Sequence, residues 1–190
     1  AVLENHFMIM MEYLAAGTLR KMIASVSKIP TRAIYRYLQD VLSGLVYLHE
    51  NDLAHCDLKP DNCLFAGDGT CKLADFGTAK LLTNESMSGM VRGTPRYMAP
   101  EAALGDWRMP ADIYSIGIIL IEMVTGKNPW SHIKGDDNAF LMRLTSDDTM
   151  APQIPAAMDE KLKGIAVDCL QREPKQRPTA EELLGKLQMI

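Results

Sequence analysis

The spacing of apolar positions is helical over most of the chain, which predicts a mainly α structure. After Pro30, apolar residues recur at steps of three and four, so we predict a long amphipathic helix with Thr31 as its N-cap. The stretch from Asp112 to Val124 is apolar on nearly every side and is followed by Gly126, a pattern typical of a central buried helix.

Three further helices follow from the same reasoning. Residues 18–26 predict a short helix, and residues 162–170 carry apolar positions at helical spacing. The last helix is predicted to begin at Thr179, where Glu182 completes a capping box.

Strand-like segments are few. Residues 6–11 form a short apolar run before Gly17, which predicts one buried strand. Residues 63–65 and 71–73 flank the sequence Gly67-Asp68-Gly69, and Asp-Gly is a strong hairpin signal. The fold class expected is therefore mainly α with a small β-hairpin.

A turn centred on Asp68-Gly69 would fix the register of this hairpin. It would place Asn62 opposite Asp75, and cross-strand partners lie about 5 Å apart. We therefore expect these two oxygen-bearing side chains to lie close enough to share a metal ion.

Composition narrows the classes of function. The formal net charge of -4 argues against a nucleic-acid binder, which usually has a basic surface. The most apolar stretch, residues 116–124, is too short to span a bilayer and contains Glu122. The four cysteines have no CxxC spacing and follow no signal peptide, so thiols in a reducing cytosol are expected rather than a zinc site. We therefore expect a cytoplasmic protein without nucleic-acid or membrane partners.

Three short motifs occur in order along the chain. His55-Cys56-Asp57-Leu58-Lys59-Pro60-Asp61-Asn62 precedes the hairpin, Asp75-Phe76-Gly77 follows it, and Ala99-Pro100-Glu101 ends a long stretch with little periodicity. Together they resemble the catalytic loop and activation segment of eukaryotic protein kinases. The resemblance covers essentially the whole chain and implies a kinase C-terminal lobe with one remaining strand of the N-terminal lobe.

The resemblance implies ATP and Mg²⁺ as cofactors and assigns the reacting groups. Asp57 would accept or orient the hydroxyl proton of a protein substrate, and Lys59 would contact the transferring phosphate. Asn62 and Asp75 would hold Mg²⁺, which prefers hard oxygen ligands. These roles fit phosphoryl transfer, which depends on positioning and on neutralising phosphate charge. Ordinary surface charge is the alternative for any of these residues alone, but not for the joint pattern.

Other matched positions have supporting roles by the same resemblance. Thr94 would bond the catalytic aspartate and lysine and help shape the floor of the peptide groove. Glu101 would pair with Arg177 in the interior, and Asp112 would hold the backbone of the catalytic loop.

The resemblance also divides the chain. Residues 1–14 would be the last N-lobe strand and the hinge, and residues 15–190 would be the C-lobe. Within the C-lobe, residues 55–62 would form the catalytic loop and residues 75–101 the activation segment.

The hinge would supply part of the nucleotide site. Met11 would be the gatekeeper, Glu12 and Leu14 would offer backbone groups to adenine, and Leu64 would lie beneath the ring. The sequence Lys59-Pro60-Asp61-Asn62 resembles the serine/threonine form of the catalytic loop. The sequences of three segments resemble kinases at the top of mitogen-activated cascades, the mitogen-activated protein kinase kinase kinases: Met11-Glu12-Tyr13, Gly17-Thr18-Leu19 and Lys127-Asn128-Pro129-Trp130.

Two departures from the family pattern affect the expected function. The sequence contains no Gly-rich phosphate loop and no strand lysine, so we expect a fragment that is inactive without the missing N-lobe. The alternative is a pseudokinase-like binding or scaffold module without turnover, but such a module should have lost Asp57, Asn62 or Asp75, and all three are present.

The second departure is Cys56, which stands where most of these kinases have arginine. A neutral cysteine cannot neutralise a phosphate on the activation segment. We therefore expect the intact kinase to need little or no phosphate on the candidate acceptors Thr78, Thr83, Ser86 and Ser88.

Overall fold

The computed structural model describes residues 2–3, 6–7, 10–26, 28–82 and 93–188. The α-helices in these ranges are α1 (Leu19–Ser25), α2 (Thr31–Glu50), α3 (Pro100–Ala103), α4 (Met109–Thr125), α5 (Asp137–Ser146), α6 (Glu160–Cys169) and α7 (Ala180–Gln188). The strands are β1 (Val2–Leu3), β2 (His6–Phe7), β3 (Leu53–Ala54), β4 (Cys63–Phe65), β5 (Cys71–Leu73) and β6 (Lys80–Leu81). The predicted mainly α fold class is confirmed.

Helix α4 forms the centre of the structure, as its sequence predicts. Every residue from Ala111 to Met123 is buried, so the helix packs on all sides. It ends where Gly126 adopts a left-handed conformation with φ of 73°. The N–H of Gly126 donates to the carbonyl of Glu122 at 2.8 Å, which satisfies one of the last helical carbonyls.

Gly117 lets α4 and α6 approach each other closely. A Cβ atom built on Gly117 would lie 2.7 Å from Cγ of Leu170 and 2.9 Å from Cβ of Cys169. We expect Gly117→Ala to lower the free energy of unfolding by about 1–3 kcal/mol, because the core would be overpacked. Urea denaturation followed by circular dichroism measures this change.

Gly164, inside α6, is the matched control. A Cβ atom there would meet nothing within 4 Å. Gly164→Ala should therefore raise stability by about 0.5–1 kcal/mol, because alanine favours a helix interior. Equal effects of the two substitutions would contradict the role given to Gly117.

Helix α2 begins one residue differently from the sequence prediction. Thr31 is already helical, and Pro30 occupies the N-cap position with no side-chain cap. The carbonyl of Pro30 accepts hydrogen bonds from Ala33 and Ile34 at 2.8 and 3.1 Å. Thr31 as N-cap is therefore wrong, because proline already sets the backbone for the first turn. Of the predicted stripe, Tyr37 is half-buried, and the other members are buried: Ile34, Leu38, Val41, Leu45 and Leu48.

The capping box of α7 is confirmed in full. The N–H of Thr179 donates to Oε2 of Glu182 at 2.8 Å, and the N–H of Glu182 donates to Oγ1 of Thr179 at 3.1 Å. This reciprocal pair begins the helix, which packs against α2 through a hydrogen bond from Gln39 Nε2 to the carbonyl of Leu187.

The hairpin forms, but its register differs by one residue from the prediction. Cys63 pairs with Leu73 and Phe65 with Cys71, so Asn62 faces Ala74 rather than Asp75. Its loop has three residues, because the N–H of Ala66 donates to the carbonyl of Thr70. Gly69 takes the left-handed position with φ of 83°, which is typical of such loops.

The segment before α1 also differs from the prediction. The single strand expected over residues 6–11 is instead β2, which pairs with β1 in an antiparallel ribbon. Met10 and Met11 lie beyond it and are 86% and 79% exposed, so the prediction that they are buried is wrong. A ribbon of two short strands offers too little surface to bury them. In the described part of the chain, none of the helices has the length and apolar content needed to cross a bilayer.

Candidate active site

Asp112, on the central helix α4, fixes the start of the predicted catalytic loop. Its side chain is buried, and its two carboxylate oxygens accept the backbone N–H groups of His55 and Cys56 at 2.8 and 2.9 Å. The Nε2 atom of His49 lies 3.0 Å from Oδ2 of the same carboxylate. Cys56 has a positive φ of 65°. A residue other than glycine holds this conformation at a cost of about 1–2 kcal/mol, which the hydrogen bond to Asp112 helps to offset.

His55 connects the loop to the chain beyond the hairpin. Its ring is buried; Nδ1 accepts the N–H of Asp57 at 3.3 Å, and Nε2 lies 3.0 Å from the carbonyl of Ala74. Because a backbone N–H can only donate, Nδ1 is the acceptor and Nε2 carries the proton. The ring also contacts Phe76, with centroids 5.5 Å apart. His55 therefore holds Asp57 and the Asp-Phe-Gly sequence on opposite sides of one ring.

Asp57, Lys59 and Thr94 form a closed triangle of hydrogen bonds. Lys59 Nζ donates to Asp57 Oδ2 at 2.6 Å and to Thr94 Oγ1 at 2.8 Å. The hydroxyl of Thr94 donates to Asp57 Oδ1 at 2.8 Å. The triangle joins the predicted catalytic loop to the end of the predicted activation segment. The structure thus brings together three residues that are up to 37 positions apart in sequence.

Asn62 and Asp75 carry oxygen atoms suited to a hard cation. The Nδ2 atom of Asn62 donates to the carbonyl of Asp57 at 2.8 Å and to its Oδ2 at 3.2 Å. This orientation leaves Oδ1 of Asn62 as a ligand atom. Asp75 is exposed, in a left-handed conformation with φ of 62°. The N–H of Ala74 donates to the carbonyl of Asn62 at 2.9 Å, which places Asp75 one residue from a backbone contact with Asn62.

Gly93 packs directly against the predicted catalytic loop, which the sequence reasoning did not anticipate. It has φ of 93°, and a Cβ atom there would lie 2.7 Å from the carbonyl oxygen of Cys56 and 3.5 Å from Oδ1 of Asp57. We expect Gly93→Ala to lower the free energy of unfolding by about 2–3 kcal/mol, since backbone strain and a backbone clash add. Thermal denaturation measures the loss.

Gly126 provides the matched control for this substitution. It also has a positive φ, 73°, but a Cβ atom there would meet nothing within 4 Å. Gly126→Ala should therefore cost only the conformational strain, about 1–2 kcal/mol. If both variants lose the same stability, the close contact with Cys56 is not a constraint.

Glu101 and Arg177 form a buried ion pair, as the resemblance implied. Arg177 donates to both carboxylate oxygens of Glu101, at 2.5 and 2.9 Å, and its side chain has no exposed surface. The same guanidinium group donates to the carbonyls of Gln171, Pro110 and Arg172. The ion pair links the end of the predicted activation segment to the segment just before α7, in which Arg177 lies.

The predicted nucleotide-binding residues lie in two segments, the one before α1 and strand β4. Leu64 is half-buried in β4 and pairs with Thr18 in an isolated bridge, so the hairpin is joined to the segment after the hinge. Leu14 is half-buried, while Met11 and Glu12 are exposed. Glu12 forms an ion pair of 2.6 Å with Lys72 of β5. The structure places Leu64 beside Thr18, which follows the predicted hinge in sequence.

A polar cluster centred on Arg20 is the largest feature that the sequence reasoning missed. The guanidinium group donates to Glu122 and to the hydroxyl of Tyr97, and its Nε donates to Asp61 Oδ2 at 3.1 Å. The Tyr97 hydroxyl in turn donates to Glu122 Oε2 at 2.6 Å. Within the apolar stretch of residues 116–124, the lone acid Glu122 was the one sequence signal for such a cluster.

Burial and charge fix the protonation states in this cluster. Burial raises the pKa of Tyr97, and the negative charge of Glu122 raises it further, so Tyr97 remains a donor. Burial alone would lower the pKa of Arg20, but the hydrogen bonds to Tyr97 and Glu122 outweigh burial and raise it. Arg20 is therefore a permanent cation.

The structure describes the predicted activation segment, residues 75–101, only at its two ends. The first end includes β6, which pairs with β3 through Ala54 and Lys80, and Thr78, whose hydroxyl donates to the carbonyl of His55 at 3.2 Å. The candidate phosphate acceptors Thr83, Ser86 and Ser88 lie outside the described residues. Independence from phosphorylation therefore stays a prediction, based on the chemistry of Cys56.

Comparison with known proteins identifies the family of this chain. A family profile described as the protein kinase domain matches residues 2–187. The chain belongs to the protein kinase family, as its motifs and the geometry around Asp57 indicate.

Its relatives include kinases of mitogen-activated cascades. It is 36% identical over 183 residues to mitogen-activated protein kinase kinase kinase YODA of Arabidopsis thaliana, covering 95% of this chain and 20% of that protein. It is 37% identical over 190 residues to mitogen-activated protein kinase kinase kinase 5 of the same plant, covering 26% of that protein. Mitogen-activated protein kinase kinase kinase 1 of Mus musculus is 31% identical over 188 residues, which is 95% of this chain and 13% of that protein. The predicted similarity to this group is confirmed, and the chain spans about a quarter or less of each.

Proposed function

We propose that this chain is the catalytic, substrate-binding part of an ATP-dependent protein serine/threonine kinase. The observation that supports the proposal most is the closed triangle of Asp57, Lys59 and Thr94, with hydrogen bonds of 2.6 to 2.8 Å. Such a group can orient a hydroxyl and hold a cation beside a phosphate, which are the two requirements of phosphoryl transfer. Relatives named as kinases of mitogen-activated cascades also support it.

Each residue has one role in the proposed reaction. Asp57 orients the substrate hydroxyl and receives its proton, because it is the carboxylate to which Thr94 and Lys59 are hydrogen-bonded. Lys59 places its positive charge on the transferring phosphate once the hydroxyl occupies Asp57. Thr94, at the floor of the proposed substrate groove, forms hydrogen bonds with both Lys59 and Asp57.

The nucleotide would be held by metal ligands and the hinge. Asn62 and Asp75 fit Mg²⁺, because an amide oxygen and an exposed carboxylate are the hard ligands it prefers. Bound Mg²⁺ would neutralise charge on the phosphates of ATP. Met11, Glu12 and Leu14 would border the adenine, with Leu64 beneath it. In this proposal residues 1–14 are the end of the N-lobe and residues 15–190 the C-lobe.

The pseudokinase alternative has no specific observation in its favour. The polar residues whose loss would mark it are present, and Asp57 and Asn62 are joined by hydrogen bonds.

The proposed compartment is the cytosol. Cys63, Cys71 and Cys169 are buried thiols, which fits a reducing compartment such as the cytosol.

The proposal is tested on the full-length protein with Mg-ATP and a degenerate library of serine, threonine and tyrosine peptides. We expect phosphate on serine and threonine but not on tyrosine. Lys59→Met should lower turnover about 10²–10³-fold, because a preorganised cation at the transferring phosphate is lost. The exposed Lys161 supplies the matched control, and Lys161→Met should leave turnover unchanged. Full activity of the Lys59 variant would overturn the assigned role.

A further inference from the structure

An open cavity of about 390 Å³ lies beside Thr94. Because Thr94 donates to Asp57, this cavity is next to the point where an acceptor hydroxyl must arrive. A substrate whose serine or threonine reaches Asp57 would place a neighbouring side chain in it. The residues that border the cavity therefore decide which neighbouring side chains are accepted.

Glu122 is the acidic residue in the wall of this cavity. It is 3% exposed, and Tyr97 donates a hydrogen bond to it. A buried carboxylate is costly unless a cation or several hydrogen bonds compensate it. Left without a cation of its own chain, Glu122 would therefore favour a lysine or arginine of the substrate.

Arg20 already provides that cation. Its guanidinium group contacts Glu122 and also Asp61 of the catalytic loop, 3.1 Å away. The side chain of Arg20 is 33% exposed and borders the cavity, so it lies between the carboxylates and an incoming substrate. It stands where a substrate cation would otherwise bind.

The other cation of the cavity is also occupied. Arg96 donates to the carbonyls of Trp130, Ile133 and Gly135, and its Nε lies 3.5 Å from Asp137. Both arginines are thus held by their own chain. An uncharged substrate side chain, which requires no partner charge, fits this cavity best.

We propose that Arg20 is a specificity-determining residue: it fills the acidic part of the substrate groove and removes any preference for a basic residue near the acceptor. The inference rests on the proposed function, since it concerns the substrate of the same site. It predicts a kinase that accepts substrates with uncharged side chains at this position.

The test compares arginine with glutamine in the substrate. Full-length wild type and Arg20→Gln are assayed with serine peptides in which one residue on either side of the serine is arginine or glutamine, position by position. Wild type should show no preference for arginine at any position. The variant should gain about a tenfold preference in kcat/KM at one position, where arginine reaches the freed carboxylate.

Two matched variants separate charge from damage. Arg20→Lys keeps a cation in the groove and should show no gain. Arg20→Gln combined with Glu122→Gln and Asp61→Asn removes both freed carboxylates as well, and the gain should disappear. A variant that phosphorylates both peptides with the wild-type ratio would show that Arg20 does not determine specificity.

Failure of the inference and failure of the proposed function give different results. Binding of the same peptides, measured by fluorescence anisotropy, needs no turnover. If wild type binds peptides but never phosphorylates them, the proposed function is wrong, and the ratio of affinities still tests Arg20. A wild type that prefers arginine at a position near the serine by about tenfold or more overturns the inference even if Arg20→Gln does not fold.

Discussion

Asp57→Asn should lower phosphoryl transfer about 10²–10⁴-fold while the affinity for Mg-ATP stays close to that of wild type. The carboxylate accepts hydrogen bonds from Lys59, Asn62 and Thr94. An amide has one acceptor oxygen in place of two, so it can neither take the substrate proton nor keep all three partners. Single-turnover kinetics and calorimetry with Mg-ATP on the full-length protein measure the two quantities separately.

Asp52 offers a nearby control for this prediction. It is exposed, with a positive φ of 55°, a conformation that asparagine tolerates well. Asp52→Asn should therefore leave both turnover and nucleotide affinity unchanged. By contrast, Asp75→Asn should weaken Mg-dependent nucleotide binding, because a metal ligand would be changed. Near-normal turnover of Asp57→Asn would contradict its role as the group that orients the hydroxyl.

Glu101→Ala should lower the free energy of unfolding by about 3–5 kcal/mol, because it leaves the charge of Arg177 buried without its carboxylate. The guanidinium group has no exposed surface, so water cannot replace the lost partner. The urea midpoint of the variant measures the loss. The three carbonyl groups that accept hydrogen bonds from Arg177 would remain, and so would the ring of Tyr114, 5.0 Å away. None of them carries a negative charge, so they cannot neutralise Arg177.

The control removes an ion pair from the surface instead. Glu160 lies 3.5 Å from Lys163, and its side chain is 83% exposed. Glu160→Ala should cost at most about 1 kcal/mol, as is usual for exposed pairs. The double variant Glu101→Leu with Arg177→Met should recover part of the stability lost in Glu101→Ala, since no charge stays buried. A loss in Glu101→Ala as small as in Glu160→Ala would mean that Arg177 is compensated by its carbonyl partners alone.

The helices predicted best from the sequence are those whose pattern of apolar residues and end signals is compatible with one secondary structure only. Helix α4 is buried on all sides and ends at a glycine, and α7 begins with a reciprocal capping box. Helix α5 was not predicted, because Phe140 and Leu144 are its only buried residues in the part of the chain that the structure describes. Two apolar anchors give too weak a periodicity for assignment.

The local turn geometry and the long-range contacts account for the remaining differences. Asp68-Gly69 predicted a hairpin correctly, but nothing in the sequence distinguishes a two-residue loop from the observed three-residue loop closed by Ala66 and Thr70. The register error moved Asp75 by one position. The motifs identified Asp57, Lys59 and Asn62, yet Arg20 and Glu122 are 102 residues apart, and no local pattern relates them.

The hydrogen bonds around Asp57 also restrict the direction from which a hydroxyl can approach. A carboxylate has about four lone-pair positions, and in the described part of the chain three are taken by Lys59, Asn62 and Thr94. The position that remains is on Oδ1, beside Thr94. In the proposed reaction, a substrate hydroxyl would have to reach Asp57 from the side of that free position on Oδ1. A water molecule that arrived from another side would find no free acceptor on the carboxylate, and idle hydrolysis of ATP would be restrained for that reason.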